Sequence, residues 1–231
     1  ALGLSMEDGD KIKTKLMAGT VSMRLSAQTT VRDGALDTAI VSHEWGHVLS
    51  NRLIGNSVGL TSPQGSGMGE GWSDFVALLT IVRPEDAMVA ANADWKGVYA
   101  TGSHALAVPG NDAFYNGIRR YPYSTDMTKN PLTFKMIEDG VLLPTMPAPV
   151  FGADGSSNSE VHNTGEVWAA MLWECYAALL RDSARYTFDQ ANRRMREYLV
   201  AALKLTPNAP TILEARDALL AAARAQDVQD F

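Results

Sequence analysis

The stretch "VSHEWGHVLSN", residues 41–51, constrains this chain more than any other. It places His43 and His47, two of only four histidines, one helical turn apart where the apolar spacing is otherwise that of a buried helix. An apolar core does not supply the polar partners that a buried pair of imidazoles needs. Two imidazoles at i and i+4 can instead aim at one point and share a divalent cation. Glu44, turned about 100° from His43 on a helix, falls beside such an ion rather than on it, where its carboxylate can hold a water. H-E-x-x-H on a helix is the zinc-hydrolase pattern, with the glutamate as general base.

Two histidines leave a catalytic zinc site one protein ligand short. A Gly and a third His at fixed spacing after His47 would supply it in one large class, but Ser50 and Leu53 stand there. The other route is a glutamate from the next helix, and "GMGEGWSDF" offers Glu70 between glycines that let backbone come close. Asp74 follows at i+4, on the same face, where a carboxylate can accept the second N–H of a ligating histidine and fix its tautomer.

Around this frame, "RDGALDTAIVSHEWGHVLSNRLIG" reads as a helix. Asp33 is its N-cap, Gly55 its stop, and Ala35, Leu36, Ala39, Ile40, Val48 and Leu49 form one broad apolar side. "TSPQGSG" reads as a loop, and "MGEGWSDFVALLTIV" as a second helix closed off by Pro84. Residues 83–157 are rich in turn residues and read as a loop-rich active-site surface carrying His104, an ordinary surface histidine. From residue 158 the chain is helical, with Val167, Met171, Leu172, Cys175 and Leu179 at helical spacing and capping boxes at Thr187–Gln190 and Thr211–Glu214. Residues 20–31, "TVSMRLSAQTTV", suggest an extended segment.

The bulk numbers exclude other classes. At 231 residues there is room for one large domain, or for two lobes sharing a cleft. A net charge of −6 argues against a nucleic-acid surface, and "FVALLTIV" is too short to span a membrane. Cys175 is alone, so no internal disulfide exists, and its helical setting reads as a packed thiol. The opening "ALGLSMEDGD" has no basic region followed by a hydrophobic stretch, hence no signal peptide is read there.

The blocks "RDGALDTAIVSHEWGHVLSNRLIG", "GMGEGWSDF", "GIRRYPYSTDMTKNPLTF" and "EVHNTGEVWAAMLWE" together resemble the fungalysin family of secreted zinc metalloendopeptidases, relatives of the thermolysin type. The resemblance implies a mainly α (α+β) fold: a thermolysin-like zincin catalytic lobe with a helical C-terminal part and the N-terminal β lobe largely missing. On that reading residues 1–231 are one zincin catalytic domain, with 1–31 a remnant of the β part, 32–82 the zinc-binding helices, 83–157 the active-site surface and 158–231 the helical part.

It further implies one Zn2+ per chain on His43, His47 and Glu70, Glu44 as base, and an oxyanion role for His162, which alone reads equally as a helix-end packing residue. An acid orients such a histidine; Asp154 and Glu160 are both candidates. Arg119 or Arg120 would bind the substrate carbonyl or tie down the loop with "YPY". The tyrosine often found between the second histidine and the third ligand is absent. The resemblance implies a protein or peptide substrate and a secreted localisation, and leaves open a second chain or lobe that completes the cleft. Relatives also use Ca2+, but "DGD" at 8–10 and "GNDAF" at 110–114 are too short to make a motif. The rival functions are an exopeptidase, for which no amine-binding acidic motif precedes His43, a zinc-bound scaffold without turnover, and a metal-free interaction domain.

Overall fold

The computed structural model describes residues 6–22, 32–107 and 112–231. The chain divides into two compact units, residues 1–31 and 32–231. In the first, Met6–Ala18 forms α1. A helix there departs from the β remnant expected of residues 1–31. Helix formers such as Lys, Leu, Met and Ala fill it, and Lys13 pairs with Asp10 one turn back at 3.2 Å. Of the expected extended segment, residues 23–31 lie outside the described residues, as do residues 110–111 of the second acidic sequence.

The second unit is built on helices. Its first, α2, spans Thr38–Leu53. Asp33 caps only a short 3-10 turn, Gly34–Leu36, while the N-cap of α2 is Asp37, whose Oδ1 accepts from Ala39 N at 3.0 Å. The apolar side also differs from expectation: Leu36 and Val48 are exposed, and the buried positions are Ala39, Gly46 and Ser50. Small residues line this face because α3 lies close against it; a Cβ on Gly46 would stand 2.5 Å from Ser73 Cα.

Helix α3 spans Pro63–Ile81, so it begins inside the stretch expected as a loop. Ser62 caps it through Gly65 N at 3.0 Å and Pro63 occupies its first turn. Its glycines, poor helix formers alone, are held by packing: a Cβ on Gly71 would lie 2.6 Å from Gly165 O. After α3 come 3-10 turns and two single-turn helices, α4 (Ser103–Leu106) and α5 (Ala113–Asn116). The only β pairing among the described residues is an antiparallel bridge between Tyr99 and Tyr123. The helical C-terminal part holds α6 (Val161–Arg181), α7 (Phe188–Leu205) and α8 (Ile212–Gln226). Both expected capping boxes are present, at Thr187–Gln190 and Thr211–Glu214.

The core joins α3, α6, α7 and α8 through Phe75, Leu78, Trp168, Leu172, Tyr176, Met195, Leu199 and Ile212. Each large aliphatic side chain here stabilises the fold by about 1.5–3 kcal/mol. Cys175 is exposed on α6, not packed as its helical spacing suggested. No helix among the described residues is long and apolar enough to cross a membrane.

Candidate metal centre

One turn of α2 and the first half of α3 bring three donors together. His43 Nε2 and His47 Nε2 stand 3.1 Å apart, with the rings nearly perpendicular. Glu70 Oε2 is 3.2 Å from the first nitrogen and Glu70 Oε1 is 3.5 Å from the second. Ligand atoms of the three residues all lie within 4.8 Å of one another. Donors sharing a tetrahedral zinc at 2.0–2.1 Å are separated by about 3.3 Å, which these spacings match. Glu70 Oε2 is also buried without a hydrogen bond, a position that a cation would satisfy. The residues present therefore fit zinc.

Outer contacts fix this group. Asp74, one turn beyond Glu70 and buried, has Oδ1 2.7 Å from His43 Nδ1. Arg119 donates to both its oxygens, from Nε at 2.6 Å and Nη2 at 2.9 Å, and the Tyr123 hydroxyl donates to Oδ2. Arg119 Nη2 also lies 4.0 Å from Glu70 Oε2. These charges decide the protonation states. Burial alone would raise the Asp74 carboxyl, but Arg119 and His43 hold it well below the usual range. Glu70 is likewise held low by His43 and His47 against its own burial. In the metal-free chain the hydrogen bond to Asp74 and the neighbouring Glu70 carboxylate outweigh the lowering effect of burial and raise His43 from 6.5 to about 9.

His162 opens α6, with Nε2 3.5 Å from Glu70 Oε2. Its Nδ1 is 2.7 Å from Glu160 Oε1, so of the two acids left open Glu160 is its partner. Glu160 is also the α6 N-cap, accepting from His162 N at 3.0 Å and Asn163 N at 3.2 Å. Asp154 instead accepts from Ser156 in its own turn. Glu44 is exposed and, with His43 and His162, borders a pocket of about 160 Å³ walled by Ala39, Ile40, Thr101 and Ile118. Arg119 lines it too.

The two arginines part here. Arg120, expected beside Arg119 as a substrate-facing candidate, is 1% exposed and turned to Glu166, with Nε 2.8 Å from Oε2. That ion pair takes it out of the cleft. His104 sits in α4, apart from the metal group, with Nδ1 3.3 Å from Arg32 Nη1. Sequence reasoning missed Tyr123 as a partner of Asp74, and nothing local to "YPY" signals it. Glu160 carried a signal, an acid at the cap position of the helix that His162 opens.

Two imidazoles and a carboxylate from neighbouring helices, backed by an aspartate on one imidazole, make the donor set of a helical zincin-type lobe. The profile of the Fungalysin metallopeptidase (M36) family matches residues 9–229, and the chain belongs to that family. Zinc is the metal that this membership implies. The chain is 34% identical over 222 residues to "Extracellular metalloproteinase MEP" of Pyricularia oryzae, covering 90% of this chain and 30% of that protein. It is 33% identical to "Extracellular metalloproteinase mep" of Aspergillus niger, covering 83% and 28%, and 35% identical to "Extracellular metalloproteinase 3" of Arthroderma gypseum, covering 88% and 30%. The chain thus spans under a third of the length of these relatives.

Proposed function

We propose that residues 1–231 are a single catalytic zincin domain of a secreted zinc metalloendopeptidase acting on proteins or peptides. The observation that carries this reading is the convergence of His43, His47 and the hydrogen-bond-free Glu70 Oε2 at spacings suited to one zinc ion. Secretion rests on the relatives, which are named extracellular metalloproteinases.

His43, His47 and Glu70 would hold the ion, which when bound supplies Lewis acidity to a water and to the scissile carbonyl. Asp74 accepts from His43 Nδ1, keeping Nε2 free to ligate. Glu44, at the pocket edge, takes the proton of the attacking water and returns it to the leaving amine. His162, held at Nδ1 by Glu160, turns Nε2 toward the negative charge developing on the carbonyl oxygen. Arg119 supplies positive charge to a substrate carbonyl at the pocket it lines, and the walls of Ile40 and Ile118 favour an apolar side chain next to the scissile bond.

The test is Glu44→Gln. Zinc content should stay near one per chain while hydrolysis of a blocked peptide falls by at least a factor of about 10³, the scale of losing general-base catalysis. Full turnover by the zinc-loaded variant would defeat the reading.

A further inference from the structure

We propose that Arg120 is a positioning residue for His162: its guanidinium clamps Asn158 and the first two turns of α6, and so fixes the Glu160–His162 pair beside Glu70. This inference rests on the oxyanion role proposed for His162.

Apart from the hydrogen bonds that Glu160 makes to the His162 ring and to the first N–H groups of α6, the pair has little to hold it. The side chains of His162 and Glu160 are 51% and 44% exposed, so packing does not set their rotamers. What places them is the backbone from which they project, and that backbone is tied from beneath. Arg120 Nη2 donates to Asn163 O at 2.8 Å, one residue past His162, and Nη1 donates to Asn158 Oδ1 at 2.8 Å, two residues before Glu160. Its backbone N–H and Nε meet the two oxygens of Glu166, one turn along α6, at 2.7 and 2.8 Å. Asn158 passes the restraint on, donating to Glu138 O at 2.9 Å and Val141 O at 2.8 Å. The cluster is closed to solvent, with Asn158 fully buried. A planar fork reaching three acceptors is something a lysine cannot reproduce. None of its contacts falls on His43, His47 or Glu70, so the clamp acts on the site only through α6.

The experiment is a double-mutant cycle in the zinc-loaded full-length protein. Arg120→Lys keeps the charge opposite Glu166 and removes the fork. Arg120→Gln combined with Glu166→Gln removes both charges together, so no buried ion is left unpaired should the first variant fold poorly. His162→Ala is expected to lower kcat by about 10²–10³. Arg120→Lys should lower kcat by about 10-fold in the otherwise native protein, yet by less than about twofold in the His162→Ala background, because the residue it positions is already gone. KM and zinc stoichiometry should hold, while amides 157–163 exchange hydrogen faster and those of α2 and α3 do not. An equal kcat loss in both backgrounds, or native kcat and exchange in both Arg120 variants, overturns the inference and leaves the proposed function standing. A His162→Ala enzyme of native kcat would instead remove the role of His162, and the clamp's with it.

Discussion

Replacing Asp74 by Asn probes the outer contacts on which the metal group depends. Two carboxylate oxygens take four donors: His43 and Arg119 Nη2 at Oδ1, Arg119 Nε and Tyr123 at Oδ2. An amide has one accepting oxygen and an NH2 group. Because the Tyr123 hydroxyl can turn to accept, the favoured orientation keeps the oxygen on His43 and Arg119 Nη2 and gives the NH2 to Tyr123, which leaves Arg119 Nε–H without its acceptor. The dominant loss is therefore charge. Arg119, with a side chain 7% exposed, loses its carboxylate and keeps only Glu70 at 4.0 Å. Breaking a buried pair in this way costs ~3–5 kcal/mol. Arg119 is then drawn toward Glu70 Oε2, one of the proposed donor atoms, while His43 loses basicity. Zinc affinity should fall by about 10–100-fold, the usual effect of removing such an outer partner. Urea unfolding of the metal-free chain reads the first quantity and competition with a chromogenic chelator reads the second. A destabilised variant that binds zinc within about twofold of wild type would refute the reasoning, since the outer partner of a ligand shifts affinity as well as stability.

Further outcomes follow from close packing and from charge. A Cβ on Gly165 would lie 2.6 Å from Glu70 Cβ and 2.9 Å from Gly67 O, so Gly165→Ala should cost ~1–3 kcal/mol and also weaken zinc binding. At Gly69 the nearest atom is Leu60 Cδ1 at 3.6 Å, so Gly69→Ala should be neutral or stabilising in the same chelator and thermal assays. In the metal-free chain, His43 raised from 6.5 to about 9 means that the folded state holds a proton the unfolded state gives up. That contribution is fully present below pH 6.5 and is lost as pH rises through about 9, so stability in EDTA should decline across that window. Zinc displaces the same proton, so apparent zinc affinity should rise over the same range; an affinity that is flat or falls there would contradict the assignment.

The neighbours within each helix were legible because helical periodicity alone puts His43 beside His47 and Asp74 beneath Glu70. The beginnings of these helices were not. Asp33 and Asp37 are both competent caps before α2, and a glycine-rich run reads as a loop until its packing against α6 is known. The apolar side of α2 misled for a related reason: small residues, not large ones, permit the close approach of α3. Adjacent arginines on non-helical backbone turn opposite ways, but nothing in "RRYPY" says which meets Asp74 and which meets Glu166. Partners such as Tyr123 arrive from distant sequence and carry no local pattern.

The most direct measurement is anomalous diffraction at the zinc absorption edge from crystals of the zinc-loaded protein. A single peak bonded to Nε2 of His43, Nε2 of His47 and a Glu70 carboxylate oxygen at ~2.0–2.2 Å is the result expected. Zinc bound elsewhere, or Glu70 turned away from an ion held by the histidines alone, would contradict the account.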